Sequence, residues 1–467
     1  MRFIRILILS LIFLFLFFGF NPSVKGQFGP TGQIMPGVGP QTGKPLLPTV
    51  NLDWWVVWEE PSDFSGLIAN FRALYPQVNI NVRKFRYDEY KDALIQAWAR
   101  DQGPDIFSLP NTWLREYADE WLEPMPARVK LQKEIESGPG CFKKRRIVTH
   151  QEELLSLKDI KEKFVGQVEK DIVINGRIFG LPLNLDTLVL FYNRDLLDAA
   201  KIPLPPKNWQ EFTDQVKKLT LVDKEGNIYQ AGAALGTSNN IERSVDILSL
   251  LMMQVGTQMS DANGNAIFNQ PLAGDPNYFP AEEALRFYTD FQDKNKEIYT
   301  WHKEMPSALD FFTQGKLAFF FGYAYHLPLI RAKAPNLSFG IAKMPQPEGA
   351  IKEINFANYS VQVVARKSKN KDLAWAFLKQ AALSPQPYLA RVKRPTALRS
   401  LIAEQINDPD LEAFVNQVLT AQSWYQGKNA LLMEEAFKEM INDVIDGKKT
   451  YLEAINFAAQ KINQTIR

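Results

Sequence analysis

Two polar side chains, Asn184 and Asp186, stand inside an otherwise apolar run from Gly180-Leu181-Pro182-Leu183 to Val189-Leu190-Phe191-Tyr192-Asn193-Arg194. In a plain turn they would do no more than satisfy nearby backbone. In a chain crossing between two lobes they would face the cleft and hydrogen-bond its contents. More polar groups gather where apolar strands end: Glu59, Glu60 and Asp63 after Trp54–Trp58, and Asn111, Thr112 and Trp113 after Ile106–Leu109. In parallel sheets ligands sit beyond the carboxyl ends of the strands. Glu59 or Glu60 with Asp186 could also be read as the two carboxylates of a glycoside hydrolase. Adjacent acids at one strand end carry no pairing signature, so binding is the stronger reading.

Other chemistries are excluded or weakened by composition. The chain has one cysteine, Cys141, so it can form neither an intramolecular disulfide nor a multi-cysteine metal site. Its three histidines, His150, His302 and His326, lack ligand spacing. No metal or cofactor is expected. The net charge of +2 favours no charged partner, and no nucleic-acid footprint stands out. The one basic cluster, Lys143-Lys144-Arg145-Arg146, reads as a solvated loop.

The elements that position these residues follow from periodicity. At 467 residues the chain exceeds one ordinary core. Trp54–Trp58 reads as a buried strand and Phe64–Leu74 as a helix that closes at Tyr75-Pro76. Val78–Val82 alternates as a strand, Tyr87–Ala99 is a helix, and Ile106–Leu109 is a third strand. This alternation indicates a parallel sheet with right-handed crossovers. Asn175-Gly176 between β-rich runs marks a hairpin turn, and Pro182 holds the following segment extended. Leu317–Gly322, Phe339–Ala342 and Tyr359–Ala365 read as strands. The C-terminal third reads as helical: Pro409–Leu419, Ala430–Ile445 and Thr450–Ile462. Residues 126–165 read as an irregular, charged surface insertion with helical parts.

At the N-terminus, Arg2 and Arg5 precede the uncharged run Ile6–Phe18, the pattern of an export signal or a single anchor. Residues 26–48 carry six Gly and five Pro with almost no charge, a linker composition. A linker directly after an apolar segment favours retention. Residues 1–25 are therefore expected to export the chain and to tether it outside the cytoplasmic membrane.

Several phrases then coincide with a known family. They include Gly103-Pro104-Asp105-Ile106, Gly180-Leu181-Pro182, Tyr192-Asn193-Arg194-Asp195-Leu196, Gly315-Lys316-Leu317-Ala318, Ala374-Trp375-Ala376-Phe377-Leu378 and Gly447-Lys448-Lys449-Thr450. In order and spacing over residues 50–465 the chain resembles the bacterial extracellular solute-binding proteins of the sugar-type class that serve ABC importers. The resemblance implies an α/β, two-lobe periplasmic-binding-protein-like fold (type II). It implies a ligand cleft between the lobes and three interlobe crossings, near 183–186, 355–359 and the 400s. Lobe 1 would comprise 50–183 and about 359–403, and lobe 2 would comprise 184–358 and about 404–467. Two features depart from the family pattern: the apolar anchor with its Gly/Pro tether, and the basic insertion around Cys141.

A sugar site needs aromatic faces for the ring and carboxylates or amides for the hydroxyls. The resemblance points to Glu60 and Asp63 as hydroxyl-binding groups, Asn111 and Trp113 at the third strand end, and Asp186 as an acidic contact. It points to Tyr323 and Tyr325 for stacking, with Tyr359, Trp301 and Trp424 as further candidates. The expected function is non-enzymatic: capture of a small solute, a carbohydrate before an amine or oligopeptide, by lobe closure, with delivery to membrane permease subunits. A monomer is expected. The alternative is a tethered sensory or scaffold protein not coupled to import.

Overall fold

The computed structural model describes residues 46–137 and 144–466. The export or anchor segment, most of the linker and Cys141 lie outside the described residues. No helix among the described residues is long and apolar enough to cross a membrane. The folded body begins before Val50: Leu47 is buried, and its N–H donates to Glu134 at 2.8 Å.

The first five residues of Val50–Val56 (β1) alternate in burial and the last three are all covered, so the strand ends inside the core. It pairs in parallel with Val78–Lys84 (β2) and Ile106–Pro110 (β3). The helices Ser65–Leu74 (α1) and Tyr87–Ala99 (α2) make the crossovers, and α1 buries Leu67 and Phe71. Two antiparallel strands, Ser360–Val364 beside β3 and Leu181–Pro182 beyond it, complete a five-stranded sheet. Gly180 is required where these strands meet, because a Cβ there would lie 2.4 Å from Val361 Cγ1.

A second five-stranded sheet runs in the order Leu221–Val222, Ile228–Ala233, Leu317–Gly322, Val189–Asn193, Phe339–Ala342. Its centre, Leu-Ala-Phe-Phe-Phe-Gly, is buried throughout, as an unalternating apolar run predicts. Helices Arg194–Ala199, Trp209–Leu219 and Ala308–Thr313 pack on it, and Ser244–Gln254, Pro280–Asp290, Ala430–Ile445 and Tyr451–Asn463 pack together.

A third, small sheet joins Ala421–Gln422, Asn355–Asn358 and Asp186–Thr187. Along the chain, Asp186–Thr187 lies between Leu181–Pro182 of the first sheet and Val189–Asn193 of the second. Asn355–Asn358 lies between Phe339–Ala342 of the second and Ser360–Val364 of the first. The two polar residues of the apolar run thus sit where the chain changes sheets.

Two expectations are corrected. Residues 126–165 are not irregular: Arg128–Ser137 (β4) and Lys144–Glu153 (β5) form a ten-pair antiparallel hairpin, with helices Leu157–Lys163 and Gly166–Ile172 behind it. Lys144, Arg145 and Arg146 therefore lie in a strand. Alternation of Val129 and Leu131, both buried, was the available signal. Pro409–Leu419 is not one helix; only Glu412–Val415 is helical. At Asn175-Gly176 both residues take positive φ, 50° and 72°, as a hairpin turn of this dipeptide requires.

Candidate ligand cavity

The site is assembled from the ends of elements. Trp58 and Glu59 follow β1, Tyr87 opens α2, and Pro110 and Thr112 straddle the end of β3. Asn184 and Asp186 come from the sheet-changing run, and Asn358, Tyr359 and Ser360 from the second change of sheet. Arg243, Tyr325 and Glu434 come from the helical side of the second sheet, and Arg394 from the loop after the helix Gln386–Val392. Together they enclose about 270 Å³. A larger hollow of about 590 Å³ beside Leu47 and Lys369–Leu373 has no aromatic ring in its wall.

At one end, Tyr388 donates its hydroxyl to Glu59 at 3.1 Å and accepts from Asn184 Nδ2 at 2.7 Å. Burial pushes the Glu59 carboxyl above its ordinary range, against the pull of Arg394 and the Tyr388 hydroxyl. Asp186 is fixed by backbone: Ala324 N–H donates to it at 3.0 Å and Thr187 N–H at 2.9 Å. Burial lifts its carboxyl to about 6, offset in part by Arg394 and these N–H groups. Arg394 Nη1 lies 3.9 Å from Asp186 Oδ2. That nitrogen is buried and has no hydrogen-bond partner among the described residues, although the residue is only 8% exposed. A buried guanidinium donor without an acceptor is costly.

At the other end, Asp246 Oδ2 gathers Arg243 Nε at 2.9 Å, the Tyr323 hydroxyl at 2.6 Å and Asn358 Nδ2 at 3.2 Å. Glu434 stands beside them, its carboxyl raised by burial. Tyr325 stacks on Tyr323, with centroids 5.9 Å apart and planes 16° apart. The turn presenting both rings is held by His326: its Nδ1 accepts from Tyr323 N–H at 3.0 Å, leaving Nε2 to donate to Glu242 at 3.0 Å. Gly322 makes room, since a Cβ there would sit 2.9 Å from His326 Nδ1. Trp58 and Tyr87 form a second aromatic pair, 5.8 Å apart.

Of the residues expected from sequence, Asp186, Tyr325 and Tyr359 line this cavity. Asn111 and Tyr323 stand one layer behind it: Asn111 donates to Asp171 at 3.0 Å, and the Tyr323 hydroxyl is taken by Asp246. Glu60 and Asp63 point away. Glu60 pairs with Lys84 at 2.6 Å with its side chain 64% exposed, and Asp63 pairs with Arg391 at 2.9 Å. Their neighbour Glu59 takes the inward place beside Trp58, in the bend that links β1 to the 3-10 turn Pro61–Phe64. Three tryptophans are core. Trp113 packs against Tyr87 and Tyr117, Trp301 against Phe311, and Trp424 against Phe268 and Phe437 with its Nε1 donating to Ser249 at 3.1 Å. Sequence reasoning did not select Trp58, Tyr87, Arg243, Arg394 or Glu434. Trp58 and Tyr87 flank chosen elements and were findable; the other three are single charged residues on distant segments, with no local signal. Among the described residues no His/Cys/Asp/Glu group could hold a metal ion.

The cavity thus draws polar and aromatic residues from segments of both large sheets. The family model for bacterial extracellular solute-binding proteins matches residues 55–386. The chain belongs to that family. Binding proteins of Brucella abortus and Brucella suis are 27% identical over 227 residues, a match that takes in 47% of this chain and 50% of theirs. The chain thus spans about half the length of these curated relatives. The maltodextrin-binding protein MdxE of Bacillus subtilis is 26% identical over 329 residues, 67% of this chain and 73% of that protein. Among solved structures, the cyclic α-maltosyl-1,6-maltose binding protein of Arthrobacter globiformis superposes with a TM-score of 0.69 at 19% identity, covering 90% of this chain and 99% of that one. The fold is that two-lobe α/β fold.

Proposed function

We propose that this protein is an extracytoplasmic receptor that captures a carbohydrate by closing two lobes around it and presents it to the membrane subunits of an ABC importer. One observation carries the reading. The cavity is lined by the aromatic residues Trp58, Tyr87, Tyr325 and Tyr359 together with hydrogen-bonding groups from both sheets, and one buried donor, Arg394 Nη1, lacks an acceptor among the described residues. Ring faces suit the apolar side of a sugar, and carboxylate, amide and guanidinium groups suit its hydroxyls. MdxE is named for maltodextrin and the Arthrobacter protein for cyclic α-maltosyl-1,6-maltose, which supports a carbohydrate ligand.

The lobes divide at the small sheet, with 50–183 and about 359–403 on one side and 184–358 and about 404–467 on the other. Closure follows solute binding because only the closed state offers contacts from both. The protein acts outside the cytoplasm as a monomer, held by its N-terminal apolar segment, and uses no cofactor. Catalysis is not part of this reading. Both Asp186 oxygens are engaged by backbone N–H groups, which suits a fixed hydrogen-bonding post better than a proton-transferring acid.

A thermal-shift screen of the purified protein against mono- and oligosaccharides, amino acids and polyamines tests this, since a ligand that binds only the folded state raises Tm. One sugar class should raise Tm, and Arg394→Ala should lessen the rise at the same sugar concentration. A response confined to amino acids or polyamines overturns the carbohydrate reading. Sugar binding without stimulation of any co-reconstituted permease favours the sensory alternative.

A further inference from the structure

The β4–β5 hairpin takes no part in either large sheet or in the cavity. Its inner half is fastened to the body: Val129 and Leu131 are buried, Asp372 accepts from Lys130 N–H at 3.0 Å, and Lys379 reaches Glu152 at 2.9 Å. Its outer half, 133–137 paired with 144–148, meets the body at Glu134, which accepts from Leu47 N–H, and has no buried residue.

Strand alternation sorts the outer half by charge. One face carries Glu134 and Glu136 opposite Ile147 and Arg145, with Glu134 and Arg145 3.6 Å apart. The other face carries Lys133, Ile135 and Ser137 opposite Val148, Arg146 and Lys144. This second face has three cations, two half-buried apolar side chains and no acid. Among the described residues none of Lys133, Lys144 and Arg146 has a carboxylate within 4.0 Å. Cations held next to apolar groups on an exposed face match a surface of anionic headgroups over hydrocarbon.

The chain's entry point agrees with this. The sequence carries an uncharged apolar run, Ile6–Phe18, ahead of the body, and the body begins at Leu47, bonded to Glu134 of this same hairpin. We propose that the Lys133–Lys144–Arg146 face of the hairpin seats on the anionic phospholipid surface of the membrane and orients the tethered receptor there. The proposal rests on the reading that the N-terminal segment holds the protein at the membrane.

The full chain supplies its own probe. Its single thiol, Cys141, lies in sequence between the two strands, so a thiol-reactive fluorophore labels that place alone. The labelled full chain is reconstituted in phosphatidylcholine vesicles, with or without phosphatidylglycerol, containing a headgroup spin-labelled lipid. Quenching should appear with phosphatidylglycerol and fade at high salt. In Lys133→Glu/Lys144→Glu/Arg146→Glu it should be lost, with the hairpin's partition to the surface falling on the order of a hundredfold. Tm and sugar binding should stay unchanged; a Gln triple variant should fall between. Equal quenching in neutral vesicles, or wild-type quenching in the charge-reversed variant, overturns the proposal. Quenching that appears only with a co-reconstituted permease assigns the face to a protein partner and overturns it too. If mature protein is recovered without the apolar run, the tether reading fails by itself. Flotation of that shorter chain on phosphatidylglycerol vesicles, abolished by the same reversal, then still supports the hairpin seat, and failure to float overturns it.

Discussion

Asp171 and Asp186 are both buried carboxylates near the places where the chain changes sheets, and their surroundings differ in one respect. Asp171 is closed. It accepts from Gln167 at 2.7 Å, the Tyr359 hydroxyl at 2.8 Å, Ser423 at 2.9 Å and Asn111 at 3.0 Å, with no cation within ion-pair distance among the described residues. Asp186 is open. Two backbone N–H groups hold it, and the guanidinium beside it keeps a donor without an acceptor. Two of the Asp171 donors, Asn111 and Gln167, each keep a buried amide oxygen with no partner among the described residues, so it is the Asp171 carboxylate, and not its whole network, that is saturated. The first carboxylate is thus saturated by four side-chain donors, and the second lines the cavity beside an unsatisfied cation.

The strongest way to break this contrast is Asp171→Ala. It strands the donors of Gln167, Asn111, Ser423 and Tyr359, and should lower unfolding stability by about 3–5 kcal/mol in urea titration. A loss under about 1 kcal/mol would mean that the four donors find other partners and that the network is not structural.

Burial raises the carboxyls of both Asp171 and Asp186, and Asp186 is the one with a cation beside it. Its folded-state value, about 6, lies above the ordinary Asp value because burial disfavours the charge. A raised carboxyl contributes stability that is intact below pH 3.8, its unfolded value, and lost as pH rises through 6. The cost of ionising it is on the order of 3 kcal/mol. Asp186→Asn cannot ionise, so its unfolding free energy relative to wild type should improve between pH 4 and 7.5. Denaturant unfolding of the ligand-free proteins at both values checks this. A difference that stays flat, or moves the other way, would show that the backbone N–H groups already compensate the charge.

The same contrast explains what the sequence could tell. Strands and helices were legible where apolar period is strong: β1 to β3, Leu317–Gly322 and Ala430–Ile445 lie within a few residues of their expected spans. Asn184 and Asp186 stood out because a polar residue in an apolar run needs a reason. The acids after β1 pointed to the right place with the wrong register, since whether residue 59 or 60 faces inward depends on the 3-10 turn Pro61–Phe64 that follows. Tryptophans misled, because Trp113, Trp301 and Trp424 are as apolar as site aromatics and far more of them fill cores. Arg394 and Arg243 were illegible: each is one cation among 54, and only the tertiary fold brings them to Asp186 and Asp246.

Arg394→Ala sharpens the open half of the comparison. Removing the donor also removes the cation facing the buried carboxyls of Asp186 and Glu59, so unliganded stability should fall by about 1–3 kcal/mol at pH 7.5 and by less at pH 4. Binding of the sugar found by screening should weaken about thirtyfold or more in titration calorimetry, the range for a lost hydrogen bond to a charged group. Arg394→Lys should not restore it fully, because an ammonium lacks the planar fork. Unchanged affinity together with a large stability loss would make Arg394 a structural partner of Asp186 and place the ligand contacts elsewhere.

The smallest effect separates Glu59 from Glu60, neighbours with opposite surroundings. Glu60 is exposed and paired with Lys84 at the surface, where an ion pair contributes little. Glu60→Ala should change neither stability beyond about 0.5 kcal/mol nor affinity measurably. Glu59→Gln keeps an acceptor for the Tyr388 hydroxyl and removes the charge facing Arg394, so affinity should shift while the fold stays intact. If both substitutions weaken binding alike, the cavity opens wider than the closed arrangement of Glu59, Tyr388 and Asn184, and the surface acid reaches the ligand. If only Glu59→Gln acts, the inward turn after β1 decides which of two adjacent carboxylates meets the solute.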